Sequence, residues 1–177
     1  MMNQSEQLID EILVMDCQTG SAKALEMLVS RWQKRLWRHA HRLVGDTEAA
    51  WDVTQQSWLA VIKGLRKLHD PANFKAWAYK ITTNKSIDWI KKSKAANRVS
   101  IHDIPDPPQQ EEKDTGLKDL LQKLDTGKRG VLSLYYFEQL SIPEISLALN
   151  IPKGTVKSRL HTARGEVRKL WREHLET

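Results

Sequence analysis

The chain has 177 residues, with 28 Lys and Arg against 22 Asp and Glu and a formal net charge of +6. That length gives one large domain or two small ones, and the basic balance favours an anionic partner, either nucleic acid or a membrane surface. A single cysteine, Cys17, excludes an intramolecular disulfide and cysteine-built zinc sites, and no apolar run approaches the ~20 residues of a membrane span.

The start, MMNQSEQLIDEIL, lacks the cationic and apolar stretches of a secretory signal, so a cytoplasmic location is the default. Gln7 to Met15 reads as a short amphipathic helix with Leu8, Ile9, Ile12 and Leu13 on one side, and Gly20 breaks it. Cys17 reads as a small, half-buried hydrophobe. Ser21 caps a longer helix whose apolar set is Ala24, Leu25, Leu28, Trp32, Leu36, Ala40 and Leu43. Its outer face is basic: Arg31, Lys34, Arg35, Arg38 and Arg42. Gly45 and Asp46 end that helix and cap the next, Thr47 to Leu65. This one places Ala50, Val53, Val61, Ile62 and Leu65 inside, and Asp52, Gln55 and Gln56 outside beside Trp51 and Trp58. His69, Asp70, Pro71 and Asn73 are turn chemistry. A fourth helix runs from about Asn73 to Lys92, packed through Phe74, Trp77, Ala78 and Ile81. Its exposed side is cationic: Lys75, Lys80, Lys85, Lys91 and Lys92.

From Ser93 to Thr115 the composition changes to SKAANRVSIHDIPDPPQQEEKDT, with three prolines and no sustained period. That is a linker. Beyond it, Leu117, Leu120, Leu121 and Leu124 mark one helix and Val131 to Phe137 another. Nothing reads clearly as strand. The fold class is therefore all-α: two small helical domains joined by a flexible linker.

The most informative stretch is LSIPEISLALNIPKGTVKSRLHTAR, Leu140 to Arg164. Ser141 caps a first helix, Pro143 and Glu144 suit its first turn, and Asn150 tolerates the left-handed backbone that ends it. A second helix follows, with Val156, Leu160, Ala163, Val167 and Leu170 on one stripe and Lys153, Lys157, Arg159, His161 and Arg164 on the others. Gly154, Thr155 and Ser158 are small enough for a duplex to come close. Cap, tight turn and basic second helix together are what a helix-turn-helix needs, so the C-terminal domain is assigned as one.

No catalytic grouping is present in the sequence: no Walker loop, no nucleophile elbow, no HExxH pair. The six histidines are scattered, and His39 and His41 are two apart on a helix, pointing to different sides. The expectation is a protein that is not an enzyme, with no cofactor and no metal.

Read in order, the chain resembles the extracytoplasmic-function (ECF) group of bacterial RNA polymerase sigma factors. RLVGDTEAAWDVTQQSWLAV looks like the family's polymerase-binding helix, FKAWAYKITTNKSIDWIKK like its promoter-melting helix, and VLSLYYFEQLSIPEISLALNIPKGTVKSRLHTAR like its minus-35 reader. The short proline-bearing linker fits the two-domain plan of the group. The resemblance implies a region 2-like domain at 1–92, a linker at 93–115 and a region 4-like domain at 116–177. It implies core RNA polymerase contacts at Asp52, Gln55 and Gln56. It implies minus-10 contacts at Asn73, Lys75, Lys80 and Asn84, with the 68–73 loop forming a pocket for a flipped base. It implies minus-35 contacts at Lys153, Thr155, Lys157 and Ser158, continuing through Arg159, His161 and Arg164. The implied partners are core RNA polymerase, promoter DNA as duplex and as single strand, and an anti-sigma factor, without membrane insertion. The chain departs from the family pattern in having Gln56 where Glu is commoner and Thr162 where a basic residue is common. Two other classes compete: a stand-alone helix-turn-helix regulator, which binds DNA tightly without polymerase, and an anti-sigma or other protein-interaction module.

Overall fold

Several helices begin where the sequence supplies an acceptor for free backbone N–H groups. Ser21 Oγ accepts from the Ala24 N–H at 3.2 Å, Asp46 Oδ1 from Ala49 at 2.7 Å, and Asp125 Oδ1 from Gly127 and Lys128 at 2.9 and 3.1 Å. The computed structural model describes residues 4–97 and 115–175. The first lobe holds α1 (Gln4–Gln18), α2 (Ala22–Val44), α3 (Thr47–Gly64) and α4 (Phe74–Asn97), with 3-10 turns at Leu65–Lys67 and Pro71–Asn73. The second holds α5 (Thr115–Gln122), α6 (Thr126–Leu132), a π-helical segment at Ser133–Phe137, α7 (Ile142–Leu149) and α8 (Lys153–Leu175). All regular structure among the described residues is helical. Most of the expected linker lies outside the described residues; its first five residues continue α4 to Asn97.

α2 is the first lobe's axis. Leu28, Trp32, Leu36, Ala40 and Leu43 are fully buried along it, as their spacing predicts. The Trp32 ring meets Phe74 edge-on at 5.3 Å and Tyr79 at 5.8 Å, tying α2 to the start of α4. Gly45 ends α2 at φ +82°, the left-handed turn a glycine adopts without strain. Gly64 is needed for a different reason. A Cβ there would sit 2.8 Å from the Trp77 ring, so only glycine lets α3 close on α4.

Several expectations from periodicity need correction. Ile62, expected inside, is exposed, and Trp58, expected near the outer face, is buried. One register explains both: the buried row of α3 is Ala50, Val53, Thr54, Ser57, Trp58 and Val61, and Ile62 lies a step beyond it. Thr54 and Ser57 are tolerated inside because their hydroxyls donate to the carbonyls of Ala50 and Val53. Leu8, Ile9 and Ile12 face solvent, while Leu13, Val14 and Asp10 turn inward. Asp10 draws in Arg31, whose Nε donates to it at 2.8 Å, so that cation leaves the outer basic face of α2. Cys17 is half-buried against the core, and burial raises its thiol pKa.

The two lobes press together along α2 and α4, and the buried apolar cluster runs through both. The seam also carries polar side chains. His39, completely buried, places Nδ1 3.2 Å from Ser133 Oγ and Nε2 2.8 Å from Thr83 Oγ1. A hydroxyl can donate or accept, so a neutral imidazole of either tautomer is satisfied there. Burial first, and the Arg42 guanidinium second, lower its pKa to about 3. Tyr79 meets the ring edge-on and stays protonated, because burial and Glu138 raise its own pKa.

The consequence for stability has a definite sign. The unfolded chain takes up a proton on His39 as pH falls through about 6.5, and the folded chain does not until about pH 3, so stability is lost on acidification. Between pH 6.5 and 5 the loss from this group is about 2 kcal/mol. Urea unfolding at those two values measures it, and His39→Gln should remove that part of the pH dependence.

Candidate nucleic-acid and protein-binding faces

The helix-turn-helix forms as its sequence predicts. Ser141 and Glu144 make a reciprocal capping box: Glu144 Oε2 accepts from the Ser141 N–H at 2.7 Å, and Ser141 Oγ accepts from the Glu144 N–H at 3.4 Å. Asn150 ends α7 at φ 52°, ψ 47°. Ile145 and Ala148 of α7 pack with Val156, Leu160 and Ala163 of α8 in the core. That packing turns the other side of α8 outward. Lys153, Gly154, Lys157, Ser158, His161 and Arg164 are exposed; Thr155 and Arg159 are half-buried. A Cβ at Gly154 would meet nothing within 4 Å, so the helix surface at that position is open. Arg159 leans back toward the start of α6, near Gly127. Arg164 Nε donates to the Leu160 carbonyl at 3.1 Å, which aligns its stem along the helix. Thr162, also exposed, donates to the Ser158 carbonyl. Lys128 ties α6 to α8 by donating to Glu166 at 2.6 Å, with Asp125 at 3.0 Å.

In the first lobe, α4 divides its candidates between two sides. Asn73, Lys80 and Asn84 fall on one helical stripe; Asn73 and Asn84 are exposed and Lys80 is half-buried. Asn73 sits in the turn before the helix, where its amide donates to Asp70 Oδ2 at 2.9 Å and Asp70 Oδ1 accepts from the Ala72 N–H at 3.0 Å. Lys75 lies on the other side, with Tyr79, Thr82 and Ser86, against the second lobe. Its ammonium donates to the Gln139 carbonyl at 3.4 Å, and burial lowers its pKa. The structure therefore does not unite the four residues. Among the aromatics in this segment, Phe74 and Tyr79 are buried in the core and Trp77 is half-buried. A cavity does open beside the Pro71–Asn73 turn, lined by Ala72, Phe74 and Lys75 with Asp10 and Glu11 of α1, and Gln139 and Glu144 close its far side.

The third face belongs to α3. Asp52, Gln55, Gln56 and Leu59 are exposed on its outer side, flanked by Trp51 and Ile62. Leu59 is 60% exposed and Ile62 44%. Trp51 rests on Trp37 at 5.5 Å, and Trp37 stacks on His41 at 5.0 Å, so the exposed indole is braced from beneath. A mixed polar and apolar strip with a braced aromatic at its edge has the composition of a protein contact surface. Sequence reasoning found its polar half. It missed Leu59 and misplaced Ile62, because periodicity alone assigns large apolar residues to the core. It also missed Ser133, Glu138 and Gln139, whose partners lie far away in the chain.

Among the described residues there is no cluster of three metal-ligating side chains and no helix long and apolar enough to cross a membrane. The Sigma-70 region 2 family model matches residues 28–96, and the Sigma-70, region 4 model matches residues 116–167. Together they define a promoter-recognition subunit of RNA polymerase. The chain is 33% identical over 137 residues to the ECF RNA polymerase sigma factor SigL of Mycobacterium tuberculosis (strain H37Rv), covering 72% of this chain and 77% of that one. It is 27% identical over 172 residues to the ECF RNA polymerase sigma factor SigW of Bacillus subtilis (strain 168), covering 87% and 92%. Among solved structures it is similar to CnrH in complex with the cytosolic domain of CnrY, with TM-score 0.72, 26% identity, and coverage of 93% of this chain and 98% of that one. The chain belongs to the ECF RNA polymerase sigma factors. It directs RNA polymerase to promoters and into transcription initiation, and it is not an enzyme.

Proposed function

We propose that the three faces divide the work of a two-domain sigma factor. Residues 1–92 bind core polymerase and the minus-10 element, 93–115 link, and 116–177 read the minus-35 element. The observation that carries this reading is the open N-terminal side of α8, where Lys153, Lys157, Ser158 and His161 stand exposed around Gly154. Basic side chains there reach guanine acceptors or phosphates in the major groove. Thr155, Arg159 and Arg164 complete that contact set. Asp52, Gln55 and Gln56, extended by Trp51, Leu59 and Ile62, dock on the polymerase. Asn73, Lys80 and Asn84 track the opened single strand, and Lys75 joins them in the complex. Reading strands requires cations beside bases held apart from their partners, each stacked base contributing roughly 1–3 kcal/mol.

The cytoplasm is the location this function requires. An anti-sigma factor is the further partner we propose, supported by the likeness to CnrH, whose structure includes the cytosolic domain of CnrY.

A gel shift on promoter DNA with and without core polymerase tests the assignment. Specific binding should need core, and Lys157→Ala should weaken promoter use while leaving core binding intact. Tight specific binding by the free chain would instead indicate a stand-alone helix-turn-helix regulator. Each cation engaging phosphate adds about 0.9 to the salt slope on duplex DNA. Lys153→Ala should therefore shallow the slope of the holoenzyme–promoter complex by about 0.9, measured by filter binding across a salt series. An unchanged slope would remove Lys153 from the contact set.

A further inference from the structure

Ser158 and Thr162 lie one turn apart on α8, both exposed and turned away from the packed row of Val156, Leu160 and Ala163. A hydroxyl has one proton to donate and two lone pairs to accept with. Here both protons are spent on the helix itself. Thr162 Oγ1 donates to the Ser158 carbonyl at 3.0 Å, and Ser158 Oγ donates to the Thr155 carbonyl at 3.1 Å. What each oxygen keeps for an outside partner is its lone pairs, and Thr162 adds a methyl group. The cations of α8 do not share this row. Lys153, Lys157 and Arg164 form the neighbouring stripe, with His161 between the two. Arg159 leans toward Gly127 on the far flank. The outward row is therefore acceptor and methyl, with donors and charge beside it.

We propose that Ser158 and Thr162 set the base preference of α8, and that the base pairs beneath them are A·T. This rests on the reading of α8 as the duplex-reading helix. In the major groove adenine offers an amino donor and thymine a methyl group, whereas guanine offers acceptors alone. An A·T edge thus carries both groups that this row can receive: the amino proton goes to a hydroxyl oxygen, and the thymine methyl packs on the Thr162 methyl. A G·C edge has no methyl, and its guanine O6 and N7 meet hydroxyls whose protons are already committed. One turn advances about 6 Å along the helix, the span of about two stacked base pairs, so the two residues address two nearby positions. The neighbouring cations hold phosphate and fix the register without choosing the base at those positions.

The test uses holoenzyme assembled from core polymerase and the full chain, with a duplex library randomised across the minus-35 element and the bound fraction sequenced. The wild type should select A·T over G·C by about tenfold at two nearby positions. Thr162→Val keeps the methyl and drops the oxygen, and should lower the preference at one of them about threefold. Thr162→Arg supplies donors, and should turn that same position to guanine by about tenfold while leaving the other unchanged. Thr162 is exposed, so its variants should unfold at the wild-type urea midpoint. Lys157→Ala should weaken binding without changing which base is chosen at either position. Guanine or no preference at both positions in the wild type, or a Thr162→Arg selection identical to it, with Lys157→Ala still weakening binding, would overturn the specificity assignment and leave α8 as the duplex reader. Binding and selection unaffected by Thr162→Arg and Lys157→Ala alike would overturn both.

Discussion

Trp32→Ala should destabilise the chain by about 3–5 kcal/mol, the range for removing a fully buried large aromatic. The side chain is completely buried on α2 and holds Phe74 and Tyr79 by their ring edges, with Arg35 stacked 5.3 Å from its own ring. Truncation removes the apolar burial and leaves a cavity bounded by α2 and α4, which backbone closure relieves only in part. The damage reaches function through Phe74, which fixes the first turn of α4. Trp32→Phe should cost much less, since it refills most of the space and drops an indole N–H with no hydrogen-bond partner among the described residues. Urea unfolding of the two variants measures the difference. A loss below about 1.5 kcal/mol for Trp32→Ala would mean that α2 is not the axis of the lobe.

Leu59→Asp should lower affinity for core polymerase at least about thirtyfold, about 2 kcal/mol, while changing unfolding free energy by no more than about 0.5 kcal/mol. The contrast follows from geometry. Leu59 is 60% exposed in the free chain, so folding does not depend on it, but in a closed interface the new carboxylate is desolvated without a partner. Asp52→Ala, on the same strip, should weaken core binding by about tenfold, the range for one interfacial charge. Surface-immobilised core polymerase and a dilution series of each variant give the affinities. If Leu59→Asp binds core like the wild type, the polymerase contact lies elsewhere on the chain.

The legible parts of this molecule are those governed by neighbours in sequence. Ser141, Glu144 and Asn150 announce a cap, a first turn and a left-handed stop, and each does its work within a few residues; the helix-turn-helix follows. The apolar row of α2 is equally local. Ile62 and Trp58 were exchanged because helical period fixes which residues share a side but not how wide the buried row is; Trp77 against Gly64 settles that from another helix. Helical period places Arg31 and Arg42 on the basic outer face of α2, yet they are taken up by Asp10 and Glu138, 21 and 96 residues away. No local pattern encodes such pairings. The seam between the lobes was invisible for the same reason: His39, Thr83 and Ser133 are unremarkable apart and form a satisfied buried set only when the lobes meet.

Run-off transcription with purified core polymerase on a library of promoter fragments tests the central claim most directly. Transcripts should begin at defined positions only when this chain is present, and Lys157→Ala should reduce them with core binding unchanged. Failure to co-elute with core polymerase, together with no defined start on any fragment, would contradict the account.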